Sequence, residues 1–270
     1  MSPTKIATIC TGLAATAALL ALPARANPFE DREQGEEGPE FKYLLGGALS
    51  NHAAYFGAQD RETKLVPVWA IRRGRWQINS SGAATLMGLG RQLQDAGANA
   101  DIGQFGRVRF GLGLRVDNGR KSADSPTTVG LPDVRRTVRG RVGASYKIDK
   151  DWRFSLGANT DLLNRGGGSV YSAEINYRLY QGLHAMCTTG LNLQAGSSGY
   201  MRSYFGTPGY TPGAGVRDVS AGINCNQLLS PHWILFGSFS AGRLLGPAAD
   251  SPLNQQSVNY ALSVGLAWRN

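Results

Sequence analysis

From Phe41 onward, apolar and polar residues alternate with a period of two in one segment after another. Within 105–117, Phe110, Leu112 and Leu114 fall on one face, while arginine and glycine residues fill the other. Because successive side chains of a strand point to opposite faces, this pattern predicts strands and excludes helices. Twelve such segments are predicted, at 41–55, 63–72, 75–82, 85–93, 105–117, 136–148, 152–164, 168–180, 183–196, 215–228, 232–245 and 257–268.

The connections between these segments alternate in length. Tight turns at 73–74, 149–151, 181–182 and 230–231 are separated by longer links at 56–62, 118–135, 197–214 and 246–256. Most segments exceed the usual strand of about 5–6 residues and suit a transmembrane strand of about 9–11. Aromatic residues collect near the strand ends, as in interfacial girdles. The sequence therefore predicts an all-β, antiparallel up-and-down transmembrane β-barrel of about 12 strands over 41–270, in preference to a soluble β-sandwich.

The first 26 residues have the composition of a cleaved export signal. Lys5 precedes an uncharged, Ala- and Leu-rich stretch, and Ala24-Arg25-Ala26 has the A-x-A form of a cleavage site. A membrane anchor is disfavoured because threonines interrupt a stretch that would need about 20 apolar residues. We therefore expect a signal peptide at 1–26, Sec-type export, and residence in the outer membrane of a Gram-negative bacterium in contact with its lipid.

Residues 27–40 form an acidic tail with six Asp/Glu and one Arg and no apolar period. A solvated periplasmic terminus is the simpler interpretation. The alternative is a plug that folds into the barrel and neutralises its basic interior. The formal net charge of the whole chain is +9, but its basic residues are spread singly without a Lys/Arg block, so nucleic-acid binding is not expected.

If the apolar faces contact lipid, the opposite faces line the lumen. They then place many arginines inside, with a few carboxylates as partners and glycines between them. A twelve-stranded barrel lies between the filled barrels of about 8 strands and the open porins of 16–18. We expect a filled or narrow interior, with a narrow anion-favouring pore as the alternative. The predicted lumen charge network comprises Arg107, Arg109, Arg115, Arg139, Arg141, Asp161, Glu174 and Asp218.

No catalytic, cofactor-binding or metal site is predicted. The three histidines lack metal-ligand spacing, and neither cysteine of the mature chain has a second ligand beside it. The nearest approach to a catalytic pair is Ser50 with His52, which share one strand face near the rim. A nucleophile also needs a third group to orient its base, and only the loop residue Asp60 is close in sequence. Two polar residues at i and i+2 are better interpreted as lumen lining.

Export leaves Cys187 and Cys225, an even pair in an oxidising compartment. Segments 183–196 and 215–228 should form a hairpin in which opposed residues have a constant index sum, centred near residue 206. The two thiols should then lie opposite each other on the lipid face. Directly opposed Cβ atoms lie about 4.5–5.5 Å apart, somewhat wider than the 3.5–4.5 Å of a disulfide. The sequence leaves open a bridge or two free thiols facing lipid.

Four ordered motifs from Tyr200 onward resemble one known family. They are Tyr200-Met-Arg-Ser-Tyr-Phe-Gly206, Gly213-Ala-Gly-Val-Arg-Asp-Val219, Leu229-Ser-Pro-His-Trp233 and Arg243-Leu-Leu-Gly-Pro-Ala-Ala-Asp-Ser-Pro252. Looser matches at Val66–Trp69, Gly111–Arg115 and Leu131–Val134 extend the resemblance over the mature chain. The chain is identified by these motifs as similar to the MipA/OmpV (MltA-interacting protein) outer-membrane family.

The resemblance implies a non-enzymatic outer-membrane barrel that acts as a scaffold for a lytic transglycosylase and a bifunctional peptidoglycan synthase. On this basis the docking surface is expected at the periplasmic end, in the tail 27–40 and the tight turns. The alternative is a narrow anion-favouring pore or a small-solute or antibiotic binder. Two departures from the family pattern stand out: Trp268 is followed by Arg269-Asn270 rather than ending the chain, and the loop at Tyr55–Asp60 has fewer acids than expected.

Overall fold

A closed sheet of twelve antiparallel strands is the framework of the computed structural model, which describes residues 41–80, 83–86, 96–124 and 126–270. Each strand pairs with its neighbours in chain order, and β1 pairs with β12 to close the barrel. The strands are β1 (Phe41–Ala53), β2 (Arg61–Arg73), β3 (Trp76–Asn79), β4 (Gly97–Phe105), β5 (Val108–Asp117), β6 (Thr137–Lys147), β7 (Trp152–Asp161), β8 (Ser169–Gln181), β9 (Ala185–Gly196), β10 (Gly215–Leu228), β11 (Trp233–Leu244) and β12 (Val258–Arg269).

The predicted β-barrel fold and strand number are confirmed, but one strand is misplaced. The segment 85–93 is not the fourth strand. Its described residues, 85–86, belong to the short helix α1 (Ala83–Leu86), and β4 lies at Gly97–Phe105. The remainder of that segment, the predicted signal peptide 1–26 and the acidic tail 27–40 lie outside the described residues.

The alternation of side chains sorts each strand into a lipid face and a lumen face. On β5, for example, Phe110, Leu112 and Leu114 point outward and are 44%, 45% and 51% exposed. Exposed aliphatic side chains on one face of nearly every strand form an apolar belt around the barrel, which is the surface of a transmembrane barrel of the outer-membrane type. None of the helices among the described residues has the length and apolar composition needed to cross a membrane.

Loop lengths distinguish the two ends of the barrel. One end has turns of two to four residues, at 74–75, 106–107, 148–151, 182–184 and 229–232. The start of β1 and the end of β12 lie at the same end. The opposite end has six connections of seven residues or more. Outer-membrane barrels have short turns on the periplasmic side and long loops outside. We therefore refer to these as the periplasmic and extracellular ends.

The C-terminal residue holds the closing seam. Asn270 accepts a hydrogen bond at Oδ1 from the Tyr43 amide (2.8 Å) and donates from Nδ2 to the Phe41 carbonyl (3.0 Å). Trp268 contacts Tyr43, with 5.4 Å between ring centroids, in the periplasmic aromatic girdle. The two residues Arg269-Asn270 that follow the last aromatic thus extend the pairing of β12 with β1.

Cys187 and Cys225 occupy directly opposed positions of β9 and β10. Their sulfur atoms are 2.13 Å apart, and the Cα atoms are separated by 4.2 Å. The two residues are joined on the outward face, near the periplasmic end of the hairpin.

Two apolar clusters occupy the interior. One is formed by α1 against inward residues of β1, β2, β11 and β12, including Leu44, Val68 and Ile234. The other lies at the extracellular end, where α2 (Ser198–Phe205) packs on α3 (Gly246–Ala249) and the nearby ends of β8 and β11. We call α2, α3 and this second cluster the cap. The lumen consequently contains a helix packed on the wall near each end, with polar residues between them.

Candidate functional site: the polar lumen beneath the cap

The polar half of the lumen is formed by the inward faces of β5 to β10. Here each strand alternates an outward aliphatic residue with an inward glycine, hydroxyl, amide or charged residue. The inward glycines of β5 and β6 leave space for long side chains from neighbouring strands. As a result, arginines that lie far apart in sequence converge under α2.

Asp117 connects the barrel wall to the cap. Its Oδ2 accepts a hydrogen bond from Arg139 Nε at 2.6 Å and one from the Tyr204 hydroxyl at 2.9 Å. Its Oδ1 accepts from the Gly119 amide at 2.9 Å. Arg139, whose side chain is only 3% exposed, also donates to the carbonyls of Gly167 and Gly168. This buried ion pair therefore holds α2 and the 162–168 loop against the same wall.

Burial raises the pKa of Tyr204 above its ordinary value, and the neighbouring carboxylate of Asp117 raises it further. Tyr204 therefore keeps its proton and remains a hydrogen-bond donor throughout the neutral range. Arg120 adds a second contact to the same helix, because its Nη1 donates to the Tyr204 carbonyl at 3.0 Å.

A β-bulge on β10 creates the second anchor of the cap. The pairing of β10 with β9 shifts between Val216 and Asp218, and this turns Arg217 into the lumen. Arg217 donates to Asp218, to the Tyr200 hydroxyl (2.7 Å) and to Gln194 Oε1 (2.6 Å). Tyr200 thus ties α2 to β10, as Tyr204 ties it to β5.

Gly168 allows the helix to come this close to the wall. Its φ of +56° lies in the left-handed region, and an added Cβ would meet the Tyr200 amide nitrogen at 2.2 Å. A side chain at this position would displace α2. Asp161, on the adjacent β7, accepts from the Thr137 hydroxyl and from the amides of Leu163, Arg165 and Gly167. Its role is to shape the 162–168 loop.

A cavity of about 270 Å³ remains beneath the cap. Its charged lining residues are Arg115, Arg139, Arg141, Arg217, Asp117 and Glu174. Tyr200 and Tyr204, stacked with their centroids 4.6 Å apart, also line it. Neutral polar groups complete the wall, among them Asn159, Ser172 and Asn192.

The predicted charge network separates into three places. Arg115, Arg139, Arg141 and Glu174 line the cavity, and Asp218 binds Arg217 just behind it. Arg109 faces the lumen nearer the periplasmic end, where its Nε lies 3.5 Å from Asp101 Oδ2. Arg107 does not face the lumen, contrary to the prediction. It is exposed in the 106–107 turn and donates to the Ile148 carbonyl, because the strand begins only at Val108.

Four charged or aromatic residues of the site were not predicted from the sequence: Asp117, Tyr200, Tyr204 and Arg217. Asp117 shares the face of Arg115 two residues earlier, so the same alternation was sufficient to place it inside. Arg217 is out of phase with its strand because of the bulge. The two tyrosines are four residues apart and share one helix face, but they lie in a link that strand periodicity does not describe.

Ser50 and His52 share no hydrogen bond within the described part of the chain. His52 Nδ1 instead lies 2.9 Å from the carbonyl oxygen of its neighbour Ala53. No group of three or more His, Cys, Asp or Glu residues is brought together among the described residues.

The periplasmic end is strongly basic. We define the basic ring as the charged side chains of the periplasmic turns, of the two strand residues on each side of each turn, and of the first two residues of β1 and the last two of β12. It contains ten Lys/Arg and two Asp: Lys42, Arg72, Arg73, Arg75, Arg107, Arg109, Lys147, Lys150, Arg153 and Arg269, with Asp149 and Asp151. Backbone N–H donors of Trp152 and Asp151 lower the pKa of Asp149. The ring has a net charge of +8, so this end has a strongly positive potential.

Comparisons with known proteins give one family and several barrels. The family model described as MltA-interacting protein MipA matches residues 45–270. The NanC porin matches with a TM-score of 0.45 and 8% identity, over 84% of this chain and 98% of the porin. OmpT of Vibrio cholerae matches at 0.40 and 8%, over 88% and 99%. The channel DcaP of Acinetobacter baumannii matches at 0.42 and 9%, over 86% and 96%. No curated protein matches the sequence.

Proposed function

Because the chain belongs to the MltA-interacting protein MipA family, we propose that it is a non-enzymatic scaffold barrel of the Gram-negative outer membrane. In this role its periplasmic end binds peptidoglycan-remodelling enzymes, namely a lytic transglycosylase and a bifunctional synthase. The family match carries the proposal, since the name of the family describes an interaction with such an enzyme. A barrel with helices packed inside its lumen near both ends also suits a scaffold better than a wide channel.

The basic ring supports a docking surface at the periplasmic end. Ten cations against two carboxylates favour a partner with an acidic surface, and opposite potentials accelerate association. Arg107 and Lys150 are both exposed, and the Arg107 guanidinium reaches the 148–151 turn, so these two turns form one continuous patch. The acidic tail 27–40 is the second predicted contact, and it would suit a basic region of a partner.

The test is binding of purified lytic transglycosylase to the mature barrel in lipid nanodiscs. We expect the double variant Arg107→Glu/Lys150→Glu to bind at least tenfold more weakly. Affinity of the unaltered barrel should fall with rising salt concentration. The control is Arg135→Glu, an exposed charge reversal in the extracellular 118–136 loop that should leave affinity unchanged. Deleting 27–40 tests the tail separately. No binding by the unaltered barrel would overturn the scaffold proposal.

A second candidate function is small-solute binding inside the lumen, and the cavity beneath the cap favours it. A related possibility, a narrow anion-favouring channel, requires an open path past both α1 and the cap. Recording in planar bilayers discriminates the two: steady anion-selective conductance would contradict the closed scaffold. An increase in conductance after deletion of 27–40 would instead indicate that the tail acts as a plug.

A further inference from the structure

The cavity beneath the cap has two buried acceptors without donors. The side-chain carbonyl oxygens of Asn159 and Asn192 are inaccessible to solvent and accept no hydrogen bond from any described residue. A buried acceptor that has lost its bonds to water and gained none from the protein destabilises the fold, so native proteins rarely keep one. Both amides line the same cavity. Rotation of each amide toward the cavity would let hydroxyl or amide groups of a bound molecule supply the two donors.

The charge of the lining favours an anionic group. Four arginines and two carboxylates line the cavity, which gives its surface a net charge of +2. Asp218 pairs with Arg217 from behind the lining, and the net charge is still +1 when its carboxylate is counted. Guanidinium groups bind carboxylates through paired, charge-assisted hydrogen bonds. An acid group in the ligand would therefore be stabilised here.

Size and shape limit the ligand further. A volume of about 270 Å³ is just below the pockets of 300–1,000 Å³ that accept drug-sized ligands. Tyr200 and Tyr204 provide aromatic surface beside the polar wall, which suits a ring with both hydroxyl groups and C–H bonds. A molecule of monosaccharide size meets these requirements together.

We propose that the cavity beneath the cap is a binding site for a sugar acid, a small polyhydroxylated ring bearing one carboxylate. The arginines of the lining hold the carboxylate, and hydroxyl groups donate to Asn159 and Asn192. This inference rests on the second candidate function, solute binding in the lumen, and is independent of the scaffold role.

Titration calorimetry on the mature, full barrel in detergent tests the proposal with three probes: D-glucuronate, D-glucose and acetate. Glucuronate should bind at least tenfold more tightly than either of the others, because only it offers both the acid and the hydroxyl donors. Equal binding of glucuronate and acetate would overturn the ligand class but leave solute binding intact. Binding by none of the three would overturn the ligand class, and a broader anion screen would then decide on solute binding separately.

Two variants test the role of the amides. Asn159→Leu and Asn192→Leu remove acceptors that have no partner, so the heat-modifiable mobility of the folded barrel should be unchanged while glucuronate affinity falls at least tenfold. Asn224→Leu is the matched control, an inward amide of β10 outside the cavity lining, and should keep full affinity. Should a leucine variant fail to fold, Asn192→Asp keeps the shape and adds a negative charge. It should weaken glucuronate more than glucose, and undiminished glucuronate binding by it would contradict the proposal.

Discussion

Removing the Tyr204 hydroxyl should loosen the cap without altering its packing. In the variant Tyr204→Phe the ring keeps its stacking on Tyr200, whose centroid is 4.6 Å away. The variant removes the hydrogen bond from the hydroxyl to Asp117 Oδ2, at 2.9 Å, together with the contact of the same hydroxyl with Arg139. The variant therefore isolates what this one hydroxyl contributes to holding α2 against the barrel wall.

The size of the expected effect on α2 docking follows from the charge of the acceptor, the Asp117 carboxylate. A hydrogen bond to a charged group contributes about 1.5–3 kcal/mol, which is about 10- to 150-fold in an equilibrium constant. Asp117 keeps its bonds from Arg139 and Gly119 in the variant, so it is not left without partners. We therefore expect the lower end of the range, about a tenfold increase in the population of undocked α2.

Hydrogen exchange followed by mass spectrometry on the nanodisc-embedded barrel measures this population. The amides of 200–206 should exchange about tenfold faster in Tyr204→Phe than in the unaltered protein. The control is Tyr210→Phe, which removes a hydroxyl bonded to the Pro247 carbonyl rather than to the wall. It should change exchange in 200–206 by less than about twofold. Equal exchange in Tyr204→Phe and the unaltered protein would refute the idea that this contact holds the cap.

Three further outcomes are expected. The pKa of Tyr204 is raised above its ordinary value of 10.0 in the folded protein. Its hydroxyl therefore contributes fully to docking of α2 below pH 10, and the contribution is lost only as the pH rises through the raised pKa. A loss of α2 protection between pH 6 and pH 8, after correction for intrinsic exchange, would contradict this. Cys225→Ala should lower the free energy of unfolding in guanidinium by about 4 kcal/mol, from the loop entropy of a 38-residue separation, and denatured, unreduced mature protein should show no reactive thiol. Asn270→Ala loses two exposed hydrogen bonds at the seam and should cost about 1–2 kcal/mol, seen as slower appearance of the heat-modifiable form.

The period-two pattern predicted most of the barrel because one physical requirement acts on every strand. A wall between lipid and a polar interior must alternate its side chains, and the matching register follows from the turns. For this reason Phe110, Leu112 and Leu114 of β5 point outward as the sequence analysis expects. The opposed placement of Cys187 and Cys225 could likewise be calculated from the hairpin centre.

The prediction was wrong where that requirement is relaxed. β3 has only four residues, and the chain then enters the short helix α1, whose Ala83 and Leu86 are buried against inward apolar residues of β1 and β2. An apolar helix inside the lumen and an apolar strand facing lipid have similar composition. Over a stretch this short, periodicity does not distinguish them.

The cap was missed for a different reason. Its anchors depend on a bulge at Arg217, a left-handed glycine at 168 and two tyrosines in a loop, and each is a local departure from regular strand geometry. Alternation identifies the residues that face inward, but it does not indicate which loop folds back over them. That information depends on tertiary contacts between residues up to 87 positions apart, as for Tyr204 and Asp117.

The two proposed functions lie at opposite ends of the molecule, and this separation has a physical consequence. The basic ring is formed by periplasmic turns, whereas the cavity is enclosed by the extracellular ends of β5 to β10 and by α2. Substitutions at distant sites without shared partners have additive effects. A change at the cap should therefore leave the periplasmic surface intact, and a charge reversal in the turns should leave the cavity intact. Coupling between the two ends would require a rearrangement of the wall itself. The ladder hydrogen bonds that join β5 to β10, interrupted only by register shifts in the β8/β9 and β9/β10 pairings, oppose such a rearrangement.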